Sequence, residues 1–165
     1  MKLLQPVKKL LVPYYKQKTD YRCGPASLRM LLGSHGYAFS ENELARLALT
    51  STEGTSRGEM VTATRIALDG KGFFIEHHPH GTIDDLVAII NQDYPIIVDW
   101  RCPEGVGHFS VLYGYGGGNL YLHDPLTPRR KRMSPKEFLT AWAYDNPPNW
   151  YLYVEAPKIS HVPIP

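Results

Sequence analysis

Apolar positions recur at helical spacing through most of the first half of the chain and at strand spacing through much of the second. Leu10-Leu-Val-Pro-Tyr-Tyr15 opens with a short extended segment, because Pro13 keeps its predecessor out of helix. A polar loop over 16–22 leads into Gly24-Pro-Ala-Ser-Leu-Arg-Met-Leu-Leu32. That run predicts a buried helix, with Pro25 tolerated in its first turn and Gly33 or Gly36 ending it. Ser40-Glu-Asn-Glu43 has the spacing of a capping box and starts a second helix with Leu44, Leu47 and Ala48 on one face. A loop over 53–58 precedes a third helix, Met60 to Leu68, stopped by Gly70 and Gly72. Phe73 to Glu76 reads as a strand. Thr82 caps a fourth helix through Ile90, with Ile83, Leu86, Val87 and Ile90 as its apolar stripe.

Beyond this point β-branched and aromatic residues take over. Pro95-Ile-Ile-Val-Asp-Trp100 is a buried strand. His108-Phe-Ser-Val-Leu-Tyr113 and Asn119-Leu-Tyr-Leu-His-Asp124, joined through Gly116-Gly-Gly118, predict a β-hairpin. Ser134 starts a short helix to Ala143, and Trp150 to Glu155 is a final strand. The expected fold class is α+β, with a helical first half packed on an antiparallel sheet from the second. One domain over 1–165 is expected, its core about 10–155 and its Pro-rich end, 156–165, frayed.

Composition narrows the function classes. The 165 residues carry a net charge of only +2, without the basic excess of a nucleic-acid binder. No run approaches the ~20 apolar residues of a membrane span, and the N-terminus lacks the apolar stretch of a signal peptide. Two cysteines, Cys23 and Cys102, make no disulfide framework, so a reducing, cytoplasmic setting is expected.

Cys23 stands where the polar loop becomes a helix, and the partial positive charge of a helix N-terminus favours thiolate. A nucleophilic cysteine needs a base and a group that orients the base. A hairpin folded about Gly116 sets His108 opposite Asp124 on one sheet face, close enough for the carboxylate to hold the imidazole. Judged singly, His108 is a strand histidine and Asp124 a turn residue before Pro125; their shared face makes them a candidate pair. Gln17, six residues before Cys23, carries an amide that can donate to an oxyanion beside the Cys23 backbone N–H.

These residues carry a resemblance. Val12-Pro-Tyr-Tyr-Lys-Gln17 followed by Asp20-Tyr-Arg-Cys23-Gly-Pro-Ala-Ser-Leu28 resembles the start of the papain-like cysteine peptidases of the bacteriocin-processing, double-glycine-leader type. Gly107-His108-Phe-Ser-Val-Leu, His123-Asp124-Pro125 and Met133-Ser-Pro-Lys-Glu-Phe138 extend it over about 10–155. The resemblance implies a papain-like fold with Cys23 as nucleophile, His108 as general base and then acid, Asp124 orienting His108, and Gln17 serving the oxyanion. It implies acyl transfer through a thioester without metal or organic cofactor, on a peptide or protein substrate and with a possible separate exporter or regulatory partner. The family's exporters carry membrane and nucleotide-binding parts that this sequence lacks, so cleavage at Gly-Gly-type leader sites stands as an open expectation beside action on another amide or isopeptide bond. A silent peptide-binding module and an acyltransferase using the same cysteine are the competing expectations.

Other features read as structural. Cys102, six residues before His108, is expected to be an inert thiol. His77-His-Pro-His80 reads as a solvated loop, since Pro79 breaks helical ligand spacing. Arg129-Arg-Lys-Arg132 reads as a charged surface strand. Trp142, Tyr144, Trp150, Tyr151 and Tyr153 are candidates for core, rim or the wall of a peptide cleft.

Overall fold

The computed structural model describes residues 6–127 and 131–158. Its helices are α1 (Cys23–Ser34), α2 (Glu41–Leu47), α3 (Arg57–Ala67), α4 (Ile83–Asn91) and α5 (Pro135–Trp142). Its strands are β1 (Lys8–Lys9), β2 (Phe74–His78), β3 (Ile96–Arg101), β4 (Gly107–Gly116), β5 (Asn119–His123), β6 (Lys131–Met133) and β7 (Tyr151–Glu155). The strands form one antiparallel sheet in the order β2-β7-β3-β4-β5-β6, with β1 pairing the far end of β4. Strand alternation divides the apolar side chains between two layers. Ile97, Phe109, Val111, Leu152 and Val154 pack with Leu28, Leu31 and Leu32 of α1 and with Met60 of α3. Ile96, Val98, Trp100, Leu112 and Leu122 pack with Leu86 and Ile90 of α4 and with Phe138 and Trp142 of α5.

Helix starts follow local chemistry closely. Reciprocal caps open α2 (Ser40 with Glu43), α3 (Ser56 with Glu59), α4 (Thr82 with Asp85) and α5 (Ser134 with Glu137). The Ser56 cap carries α3 back to Arg57, three residues before the start expected from its apolar stripe. Helix α1 differs: its N-cap residue is Arg22, whose side chain makes no capping hydrogen bond.

The hairpin departs from its expected register. Its turn is Gly117-Gly118, both at positive φ (58° and 78°), the backbone a two-residue hairpin turn requires. The displaced centre alone would shift the pairing by three residues; a register shift between Leu112 and Gly114 takes one back, so Val111 pairs with His123 rather than Tyr121. His108 and Asp124 are therefore diagonal rather than directly opposite. A displacement of two residues preserves strand parity, so both still project to one side of the sheet.

The segment from Leu10 to Tyr15 is free of helix, as expected, and the ladder with β4 starts just before it, at Lys8–Lys9, with the Leu10 N–H donating to the Tyr113 carbonyl at 2.8 Å. Other expectations needed correction. Strand β2 is drawn from the first half of the chain, so the sheet is not built from the second half alone. His77 and His78 end that strand as exposed residues instead of lying in a loop, since β7 offers them Leu152 and Tyr151 as partners. Of the basic run, Lys131 and Arg132 belong to edge strand β6, while Arg129 and Arg130 lie outside the described residues, as do 159–165. Trp142, Trp150 and Tyr151 are core residues, and of the late aromatics Tyr144 faces the cleft described below.

Gly114 lies where β1 crosses the bulge, and a Cβ there would land on the Lys8 carbonyl oxygen with the Lys9 Cα 3.0 Å away. Both obstacles are backbone, so Gly114→Ala is expected to cost about 1–3 kcal/mol of stability, measured by urea denaturation.

Candidate active site

Cys23 is the first residue of α1 and is buried. The first N–H groups of a helix have no acceptor within it, and no side chain caps this one. Pro25 has no N–H and Ala26 N–H donates to the Arg22 carbonyl, so the Cys23 and Gly24 N–H groups are the two donors that this helix end presents. The resulting local field is positive where an anion on or near the Cys23 sulfur would sit.

His108, the second residue of β4, lies near enough to Cys23 for the thiol to favour the charged imidazole. Its Nε2 lies 2.6 Å from Asp124 Oδ1 in a buried contact. Nε2 is thus committed to the carboxylate. Trp100, paired with His108 across β3 and β4, packs its ring edge-on at 5.6 Å between centroids, and its Nε1–H donates to Ser110 Oγ. The imidazole is therefore held in orientation by a carboxylate and by an indole that is itself fixed.

Asp124 is positioned by the end of the hairpin. Its Oδ1 also accepts the Leu126 N–H at 2.9 Å, the local turn that Asp-Pro-Leu favours. Tyr14 Oη lies 2.8 Å from the Asp124 carbonyl oxygen, and Lys131 Nζ lies 4.0 Å from Oδ2. Burial raises the Asp124 carboxyl pKa, but the His108 bond and charge, the Leu126 N–H and Lys131 outweigh it and hold the group below its usual value. For His108, burial pulls the imidazole down. The hydrogen bonds to Asp124 and Cys23, together with their negative charges, overcome this and push it up to about 9.

Gln17 is buried, with its Nε2–H donating to the Thr19 carbonyl at 2.8 Å and its backbone N–H to the Pro125 carbonyl at 2.8 Å. It makes no direct hydrogen bond to Cys23 among the described residues; the Thr19 carbonyl joins them by also accepting the Arg22 N–H. The second N–H of the Gln17 amide is not used by Thr19.

A cleft of about 560 Å³ opens at Cys23, lined also by Thr55, Arg57, Asp99, Gly107 and Tyr144. Arg57 crosses it, its Nε donating to Asp99 Oδ2 at 2.7 Å and its Nη1 to the Pro147 carbonyl at 2.8 Å. Tyr144 Oη donates to Asp99 Oδ1 at 2.8 Å. Burial raises the Asp99 pKa against these two donors, and burial together with Asp99 raises that of Tyr144. The sequence reading missed this network and the Trp100 contact. Pairing β3 with β4 across 102–106 would have put Trp100 beside His108. Arg57 gave no sign in a segment read as loop.

Cys102 is buried in a neighbouring groove with Lys136, Ala141 and Tyr144, and burial followed by a hydrogen bond to Glu104 pushes its thiol pKa up. Neither cysteine is in a disulfide. Among the described residues no group of three or more His, Cys, Asp or Glu is placed to hold a metal ion, and no helix is long and apolar enough to cross a membrane.

The model of the Peptidase_C39 like family matches residues 9–147. The chain belongs to that family. Its match begins within β1 and ends at Pro147, so it takes in Gln17, Cys23, His108, Asp124 and the cleft. Among C39-like relatives, the lactococcin-A transport/processing ATP-binding protein LcnC of Lactococcus lactis subsp. lactis is 29% identical over 132 residues. That alignment covers 78% of this chain, which spans only 17% of the length of LcnC. An uncharacterised protein of Methanothermobacter marburgensis is 30% identical over 115 residues, covering 69% of this chain and 72% of its own. The peptidase domain of Streptococcus ComA, a bi-functional ABC transporter involved in a quorum-sensing pathway, superposes with a TM-score of 0.69 at 25% identity, covering 91% of this chain and 98% of the domain. A double-glycine-motif protease from an AMS/PCAT transporter, solved with its leader peptide, has a TM-score of 0.68 at 19% identity, covering 90% and 94%. The fold is that of the C39-like, papain-like peptidase domains.

The His108 environment makes a direct prediction. Its ring C–H resonances in NMR should titrate near pH 9 rather than near the ordinary ~6.5. In Asp124→Asn the midpoint should fall, because a neutral amide no longer favours the imidazolium. Since the folded value lies above the unfolded one, this pairing contributes fully to stability below about pH 6.5 and is lost as pH rises through about 9.

Proposed function

We propose that this C39-family chain is a cysteine peptidase, hydrolysing a peptide or isopeptide bond through a thioester on Cys23. The observation carrying this reading is an imidazole bonded to a buried carboxylate and electrostatically coupled to the thiol at an uncapped helix start. Cys23 is the nucleophile, His108 its base and later acid, Asp124 the orienting group, and Gln17 a donor to the oxyanion.

In the reacting pair His108 takes the proton from Cys23 Sγ, giving thiolate and imidazolium. The Cys23 sulfur attacks the scissile carbonyl carbon, forming a C–S bond and moving the carbonyl electron pair onto oxygen. The Cys23 N–H and the second Gln17 amide N–H stabilise that oxyanion where its charge develops. Collapse breaks the C–N bond, and the amine leaves with the proton from His108. Neutral His108 then takes a proton from water, which attacks the thioester. The C–S bond breaks, releasing the acid and restoring the ion pair. No step calls for a metal or organic cofactor.

Peptides with Gly-Gly-type leader sites are the favoured substrates on the strength of family membership and the double-glycine protease among its structural neighbours. A separate exporter supplying or receiving the peptide is the corresponding partner, because the matched relative LcnC is a transport and processing protein. A reducing compartment such as the cytoplasm suits a chemistry that needs a free thiol.

Release of aminomethylcoumarin from a peptide ending in Gly-Gly-aminomethylcoumarin tests this reading. Wild type should turn the probe over and Cys23→Ala should not. His108→Ala should lose about 10²–10⁴-fold in kcat, the usual worth of general acid–base catalysis. Gln17→Ala should lose about 10²–10³-fold, the usual worth of an oxyanion donor. Saturable binding of the peptide with no Cys23-dependent release would instead identify a binding module, and release that rises steeply with an added amine would identify a transferase.

A further inference from the structure

One fully buried carboxylate stands outside the site described so far. Glu41, the first residue of α2, has no exposed surface. Both its oxygens lie 3.3 Å from the Lys18 N–H, a bifurcated bond, and Oε1 lies 3.4 Å from Arg22 Nη1. Arg22 Nη1 also donates to Asn42 Oδ1, so the guanidinium is anchored on two successive residues of α2. Lys18 directly follows Gln17, and Arg22 directly precedes Cys23.

A single carboxylate thus holds both ends of the loop separating the amide from the nucleophile. The Ser40–Glu43 capping box fixes the start of α2 and hence the origin of the Glu41 side chain. Within the loop the Thr19 carbonyl accepts from Gln17 Nε2 and from the Arg22 N–H, so its conformation is transmitted to both functional residues. A buried ion pair is weak evidence for stability, because a well-packed apolar residue often serves as well. Geometry gives the charge at Glu41 its use: it ties the two loop ends to α2 by accepting from each.

We propose that Glu41 is a positioning residue, setting the Gln17 amide relative to Cys23 so that both can face one oxyanion. This rests on the reading of Cys23 as nucleophile and Gln17 as oxyanion donor. Glu41 touches no reacting atom; its effect should appear where charge develops on oxygen and not where sulfur reacts with an alkyl carbon.

That distinction gives the test. Glu41→Gln keeps side-chain volume but weakens acceptance from Lys18 and Arg22. With the Gly-Gly-aminomethylcoumarin peptide, its kcat should fall about 10- to 100-fold with KM within about twofold, the scale of a small misplacement in a catalytic site. Iodoacetamide alkylation of Cys23, which forms no oxyanion, should stay within about twofold of wild type. The Gln17→Ala/Glu41→Gln double variant should be no slower than Gln17→Ala, because Glu41 acts through Gln17. If Glu41→Gln does not fold, judged by circular dichroism, Glu41→Asp keeps the charge on a shorter stem and should show the same split.

An unchanged kcat overturns the proposal, as does an equal loss in alkylation and hydrolysis, or an effect that multiplies with that of Gln17→Ala. A wild type with no Cys23-dependent release overturns the peptidase reading itself. That result is distinct from an active wild type indifferent to Glu41.

Discussion

The buried contact between His108 Nε2 and Asp124 Oδ1, 2.6 Å long, is the interaction on which the rest of the site depends. It commits Nε2 of the imidazole to the carboxylate and leaves Nδ1 as the nitrogen that a neighbour can use. It also offsets the cost of an imidazolium ion away from water, which burial alone would disfavour. The hairpin geometry serves this contact. The Gly117-Gly118 turn and the register shift near Gly114 determine which residues of β4 and β5 come together, and the Leu126 N–H holds Asp124 Oδ1 from the far side. Gln17 is tied to the same corner through the Pro125 carbonyl, so the segment preceding Cys23 and the segment following Asp124 are built as one piece.

A second theme is contrast among helix starts. Four helices close their first turn with reciprocal side-chain caps, while the helix beginning at Cys23 has none. Capped ends satisfy their own donors and contribute to stability. An uncapped end keeps its donors for an anion, and here it lies at the mouth of a cleft. The clamp formed by Arg57, Asp99 and Tyr144 joins the start of α3, the middle of β3 and the segment after α5 behind that opening. Membership of the C39-like peptidase family and the superposition on the ComA peptidase domain agree with a fold built to present such a cleft.

Much of this was legible in the sequence because it was written in local chemistry. The boxes at Ser40 and Thr82 and the β-branched run after Pro95 gave elements whose boundaries moved by no more than one residue. Cys23 was readable as the residue at a loop-to-helix boundary, and His108 with Asp124 as partners of like parity across a hairpin. The register was not readable, because three consecutive glycines allow several turn centres and the bulge follows from β1 crossing at Gly114. Gln17 was found by spacing, but its bonds to Thr19 and Pro125 depend on tertiary placement. Arg57, Asp99 and Tyr144, far apart in sequence, left no local pattern to join them. Glu41 looked like one more acidic residue in a first turn; only its complete burial and its hold on both ends of one loop set it apart.

The central claim is that Cys23 and His108 act as one charge-paired unit oriented by Asp124. Its most direct test is the pH dependence of iodoacetamide alkylation at the two cysteines, read by mass spectrometry on one sample. Cys23 and Cys102 are 9% and 6% exposed, so accessibility alone gives no reason for their rates to differ widely. A Cys23 rate well above that of Cys102 from pH 6 to 8, falling to the Cys102 level in His108→Ala, is the result this account predicts. Equal rates in the wild type, or a fast Cys23 indifferent to the loss of His108, would contradict it.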